Sequence, residues 1–76
     1  MSIKVLIFAS LSEQLGLSET ELAADNLHTA QDVWNGISQQ TADAAVRVAI
    51  NQEYAQFSSA VKSGDEVAFF PPVTGG

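Results

Sequence analysis

A chain of 76 residues is one small domain: at this length only about 60% of the unfolded surface is buried on folding, which leaves room for a single core. Hydrophobic residues at 46% and charged residues at 16% exclude a disordered chain, and the lack of cysteine excludes a disulfide framework, a thiolate metal site and an internal thiol that could carry sulfur. Nine acidic residues against Lys4, Arg47 and Lys62 give a formal charge of −6, which repels nucleic acid and anionic membranes alike, and which serves either solubility or docking onto a basic protein surface.

Ile3, Val5 and Ile7 alternate with Lys4, Leu6 and Phe8, and their β-branched content predicts an extended strand over 3–9. Both faces of this strand are apolar, so it belongs inside a sheet. It is far too short to cross a bilayer and carries no clear small-residue cleavage site. Together with the missing cysteines, this makes the cytoplasm the expected compartment. Ser10 and Glu13 match a capping box ahead of a short helix over 11–15, which Gly16 stops.

Residues 19–23 read as a weaker strand whose polar side suits an edge. Thr29 and Asp32 repeat the capping signal before a helix that runs to about Gln40, with Val33, Trp34 and Ile37 as its apolar stripe. Gly36 within it costs roughly 1 kcal/mol relative to alanine, so tertiary packing must hold this helix. Trp34 is its anchor on the sheet, and the single histidine, His28, lies in a loop with no nucleophile or second ligand beside it. A third strand over 46–50 breaks at Asn51-Gln52. A return strand over 54–57, an irregular stretch over 58–63 and a Ser63-Gly64-Asp65 turn lead into a last strand over 66–70. This order suggests an α+β fold of the β-grasp type, a mixed sheet packed on one main helix, and also admits other small α+β folds.

Period-two geometry carries one step toward function. If Val5, Ile7, Val67 and Phe69 face the helix, then Leu6, Phe8, Ala68 and Phe70 face the other way, where no predicted helix remains to cover them. Phe8 and Phe70 exposed together form a patch suited to a partner protein. Beyond this domain, residues 1–70, the tail over 71–76 has its own logic. Pro71 and Pro72 hold the backbone extended, while Gly75 and Gly76 strip the end of side chains, so that it fits a passage too narrow for a Cβ. The reactive group is then the α-carboxylate of Gly76, whose pKa of roughly 3.3–3.7 leaves it ionised and inert until it is activated, for instance by adenylation.

Gly64-Asp65-Glu66-Val67, followed by Phe69-Phe70-Pro71-Pro72-Val73-Thr74-Gly75-Gly76, resembles the end of the MoaD type of the MoaD/ThiS ubiquitin-like family, the small sulfur-carrying subunits of molybdopterin synthases. Residues 3–9 and the Val48-Ala49-Ile50-Asn51 strand resemble it too, so the likeness spans the chain. A terminal Gly-Gly is shared with thiamin-pathway carriers and ubiquitin relatives, whereas the Phe-Pro-Pro-Val-x-Gly-Gly ending is narrower. The family often has Arg-Glu early in its first helix, where this chain has Ser12-Glu13.

The resemblance implies that an E1-like enzyme, using its own ATP and magnesium, adenylates Gly76, and that sulfur delivery makes a C-terminal thiocarboxylate. The tail, Pro71 to Gly76, would enter the large synthase subunit in a heterotetramer of two of each subunit. Sulfur would pass there to cyclic pyranopterin monophosphate during molybdenum cofactor biosynthesis. Catalytic lysines would belong to the large subunit, so this chain acts as a sulfur-donating co-substrate and binds no metal or cofactor itself. Phe8, Tyr54 and Phe70, with the tail residues Pro71, Pro72, Val73 and Thr74, map onto the partner-binding positions. Three alternatives stand beside this one: a carrier for thiazole or another sulfur-containing product, a ubiquitin-like modifier joined through Gly76 to lysines, and an interaction domain with an inert tail.

Overall fold

Two parallel strands from opposite ends of the chain form the middle of the fold. The computed structural model describes residues 1–38 and 46–71. In chain order the elements are β1 (Ser2–Ile7), α1 (Ser10–Leu15), β2 (Glu19–Ala23), α2 (Ala30–Ile37), β3 (Arg47–Ile50), β4 (Glu53–Ala55) and β5 (Glu66–Phe70). β1 runs parallel to β5, with Val5 abreast of Val67 and Ile7 abreast of Phe69. β2 adds antiparallel to β1, and β3 and β4 add antiparallel on the other side of β5, giving the order β2-β1-β5-β3-β4. This is the β-grasp expected from the sequence, with β1 interior and β2 at an edge.

The core lies between the sheet and α2. Ile3, Val5, Ile7, Val48, Val67 and Phe69 from the sheet meet Ala30, Val33 and Trp34 from the helix, all buried. Trp34 meets Phe69 edge-on at 5.1 Å and Phe57 at 6.2 Å, and Phe57 stacks on Phe69 at 5.9 Å. Phe57 follows β4, so this cluster ties the last strand and the loop after β4 to the main helix. Gly36 has a steric reason as well as its entropic cost: a Cβ there would sit 2.9 Å from Leu22 Cδ1, so a bare backbone lets β2 close against α2.

The capping box expected at Thr29 is present. Asp32 N donates to Thr29 Oγ1, and Asp32 Oδ2 accepts from the amides of Thr29 and His28. Ala30 N and Gln31 N, orphan donors in any first turn, reach the carbonyls of Ser59 and Phe57. The helix ends at Ile37 rather than near Gln40: Ser38 is extended, and its amide bonds the Trp34 carbonyl. Positions 39–45 lie outside the described residues.

At α1 the structure corrects the expectation. Ser10 is the first helical residue, Ala9 is the cap, and no side chain bonds the first turn's amides. Phe8 N still donates to Phe69 O, so β1 holds the chain to its last residue and the turn into the helix falls on Ala9. That residue takes φ 56° and ψ −138°, a left-handed geometry costing an alanine roughly 1–3 kcal/mol. Ser12 Oγ donates to the Ala9 carbonyl at 2.7 Å, so this side chain serves the corner. Gly16 closes the helix at φ 75°, as expected.

Asn51 and Gln52 both have positive φ, 52° and 70°, the geometry of a two-residue hairpin turn whose twist matches its strands. The return strand is β4, Glu53–Ala55, and not 54–57. Asn51 also ties this hairpin to the start of β5: its Nδ2 donates to Asp65 Oδ1, while its Oδ1 accepts from Glu66 N. Asp65 Oδ2 accepts from Lys62 N. Asn51's hydrogen bond, then the Lys62 amide and charge, outweigh the cost of burial and hold the Asp65 carboxyl below the ordinary value of 3.8.

A lowered folded pKa stabilises the fold above the unfolded value, and that stability is lost as pH falls through the folded one. Asp65→Asn should therefore be less stable than the parent at neutral pH. It should also lose less stability on acidification to about pH 2 in denaturant titrations. Part of the acid limb should remain, because the backbone amides of His28 and Thr29 lower Asp32 in the same direction. Acid limbs that superimpose would contradict the role given to this latch.

Candidate functional site

Alternation along the strands sorts the sheet into two faces. On the face away from α2, Leu6 stands abreast of Ala68, Ala68 of Ala49, and Ala49 of Tyr54. One step further along the strands, Arg47 stands abreast of Phe70, and continuing the parallel register places Phe8 on the other side of Phe70. Among the described residues no element covers this face: Phe8 is 48% exposed and Tyr54 85%. Phe70 is half-buried, its ring 5.9 Å from that of Tyr54. The small residues Ala49 and Ala68 keep the surface low beside these rings. A groove of about 310 Å³ opens there, lined by Arg47, Val48, Tyr54, Ala55 and Phe70.

The structure thus brings together the three aromatic residues singled out from the sequence, and places them where β5 passes into the tail. Pro71, also half-buried, is the first tail residue. The expectations for Pro72, Val73, Thr74, Gly75 and Gly76 lie outside the described residues.

Charge is graded along the same face. At the end remote from the tail, Lys4 lies abreast of Glu66 and Glu21, and Glu19 lies abreast of Leu6 on the edge strand. At the tail end the row through Phe70 holds Arg47 and no carboxylate. Among the described residues no cluster of three or more histidine, aspartate or glutamate side chains is arranged to hold a metal ion. Nor is any of their helices long and apolar enough to cross a membrane. The chemistry this arrangement can perform is recognition: aromatic side chains gathered on an open face where β5 leads into the C-terminal segment.

Sequence reasoning missed two contributors. Arg47 entered only as one of three cations, because its place in the groove depends on the register of three strands. The Asn51–Asp65 bond links residues fourteen positions apart and was hidden for the same reason, although asparagine in a hairpin turn and aspartate after Ser-Gly were each visible as turn residues.

The ThiS family model matches residues 5–76. The molybdopterin synthase sulfur carrier subunit of Escherichia coli (strain K12) is 40% identical over 83 aligned positions, covering 97% of this chain and 99% of that protein. The fold is similar to that of the small archaeal modifier protein 1 of Haloferax volcanii (TM-score 0.78, 25% identity, 95% of this chain and 98% of that one). It is also similar to a chain in the complex of subunits 1 and 2 of molybdopterin-converting factor from Helicobacter pylori 26695. That likeness has a TM-score of 0.64 and 18% identity, covers all of both chains, and is one of fold.

Proposed function

The chain belongs to the ThiS family, and from that premise we propose that it is the sulfur carrier subunit of a molybdopterin synthase. The observation that carries this reading is where the aromatic surface lies. Phe70 and Tyr54 meet at the very strand end from which the Pro-Pro-Val-Thr-Gly-Gly arm departs. A partner that grips those rings receives the arm at a fixed point, which converts delivery of the terminal group into a nearly intramolecular event.

In this reading the Gly76 carboxylate attacks the α-phosphate of ATP on an E1-like enzyme, releasing pyrophosphate and forming an acyl adenylate. Hydrosulfide-level sulfur then attacks the acyl carbon and displaces AMP, leaving a thiocarboxylate. The arm enters the large subunit, where the thiocarboxylate sulfur bonds to a carbon of cyclic pyranopterin monophosphate and displaces an oxygen substituent, and water then cleaves the acyl–sulfur bond to regenerate the Gly76 carboxylate. Two such transfers complete a dithiolene. Nucleotide and magnesium are held by the activating enzyme, and the catalytic lysines belong to the large subunit. Phe8, Tyr54 and Phe70 dock the domain, and Pro71 to Gly76 form the arm.

The likeness to an archaeal modifier protein favours a second reading, in which Gly76 ends in an isopeptide bond to lysines of other proteins. Mass spectrometry of the chain isolated from its own cells separates the two. Exchange of one oxygen for sulfur at Gly76 is expected for the carrier. Branched peptides on other proteins, with no sulfur at Gly76, would overturn the carrier reading in favour of the modifier.

A further inference from the structure

We infer that Arg47 is the specificity-determining cation of the docking face, and that the protein seated there presents a carboxylate side chain between Tyr54 and Phe70. This inference rests on the carrier reading and adds to it the chemistry of the partner at one position.

Three observations converge on this residue. Arg47 lines the groove together with Tyr54 and Phe70, and arginine beside exposed aromatic rings is the composition of interface hot spots. It is exposed, and its guanidinium has no hydrogen bond, ion pair or ring contact among the described residues. It also stands apart from the carboxylates of its own face. Glu21 and Glu66 lie in the row through Lys4 at the remote end, and Glu19 lies on β2, three strands away and so roughly 14 Å across the sheet. Its neighbours in the row are Phe70 and, by continuation of the register, Phe8.

In a chain of net charge −6, a cation placed merely to balance charge gains most next to a carboxylate. This one is held away from the described carboxylates of its face, at the root of the tail. A planar guanidinium flanked by apolar rings is suited to a bidentate carboxylate, because the rings exclude water once the partner is seated.

The face is therefore polar along its length, cationic at the tail root and acidic at the far end. A partner with a carboxylate at the mouth of its tail passage and basic groups further out fits in one orientation. Rotated by half a turn, it would set carboxylate against Glu21 and Glu66 and leave Arg47 against a cation. Like charges juxtaposed in this way discriminate strongly against the wrong pose. Arg47 thus sets the in-plane orientation in which the arm meets its passage, whereas the aromatic rings supply most of the grip.

The test is titration of the full chain with the synthase large subunit, comparing the parent with Arg47→Leu and Arg47→Lys. Far-ultraviolet dichroism and a thermal melt check that each variant is folded. If a carboxylate sits over Arg47, Arg47→Leu weakens binding about tenfold or more, because the partner's carboxylate is then buried without a counter-charge. Arg47→Lys retains most of the affinity, and the parent's dissociation constant rises more steeply with salt than that of Arg47→Leu. If the groove is simply an apolar rim, Arg47→Leu binds as well as the parent or better, and the inference fails while the carrier reading stands. A parent chain that does not bind the large subunit at all overturns the carrier reading and this inference with it.

Discussion

Deletion of Gly76 is expected to reduce sulfur transfer in a reconstituted synthase to background while leaving the fold unchanged. Among the described residues the buried core lies between Ile3 and Phe69, so the packing of the sheet on α2 rests on residues upstream of the tail. In the carrier reading the chemistry depends on it entirely. Without Gly76 the acyl group would belong to Gly75, one residue and about 3.5 Å short of its place. Misplacement of a reacting group by even about 1 Å can cost a hundredfold in rate. Transfer by the shortened chain at a rate within about tenfold of the parent would contradict a terminal carrier role. A thermal melt matching the parent's shows that the loss is chemical.

Phe70 and Phe69 offer the second test, because neighbours on one strand should fail in opposite ways. Phe70→Glu puts a carboxylate where an apolar ring meets Tyr54, and it should weaken binding to the large subunit by about 2 kcal/mol or more, some thirtyfold in dissociation constant. Its effect on stability should be much smaller, since the ring is only half-buried on an open face. Phe69→Ala removes a fully buried ring that touches Trp34 and Phe57, and should cost about 3–5 kcal/mol of stability. Where enough folded protein survives, its affinity for the large subunit should be close to the parent's. Equal loss of affinity in both variants, or an unchanged constant for Phe70→Glu, would count against the docking face.

How far the fold could be read from the sequence followed the range of the interactions involved. Residues 19–23 and 66–70 are strands with the predicted bounds, because alternation and flanking turn residues are local signals. The faces of β1 and β5 were legible for the same reason: one buried phenylalanine next to a half-exposed one fixes both sides of a parallel pair. The Thr29–Asp32 cap closed as expected, whereas Ser10 and Glu13 carry the same pattern and do not cap. The difference is tertiary. β1 keeps its hydrogen bonds to β5 through Phe8, so the corner falls on Ala9, and no local pattern marks where a sheet releases its strand.

The proposed docking surface was legible in part. Alternation placed Phe8 and Phe70 on the uncovered face, and family resemblance supplied Tyr54. The ring contact between Tyr54 and Phe70, the groove beside it and the position of Arg47 all require the β3-β4 hairpin to be in register with β5. That register is held by Asn51 bonding across to Asp65 and Glu66. A polar latch remote from the aromatic residues therefore decides how the docking surface is assembled, through contacts that no window of sequence contains.

The central claim is that this chain delivers sulfur from its own C-terminus, and a single-turnover transfer tests it most directly. Thiocarboxylated chain is mixed with the large subunit and cyclic pyranopterin monophosphate, and the mass at Gly76 is followed alongside formation of the dithiolene product. The account predicts that sulfur leaves Gly76 in step with product, with two chains consumed for each dithiolene formed. Product appearing while Gly76 keeps its sulfur, or sulfur leaving with no product, would contradict it.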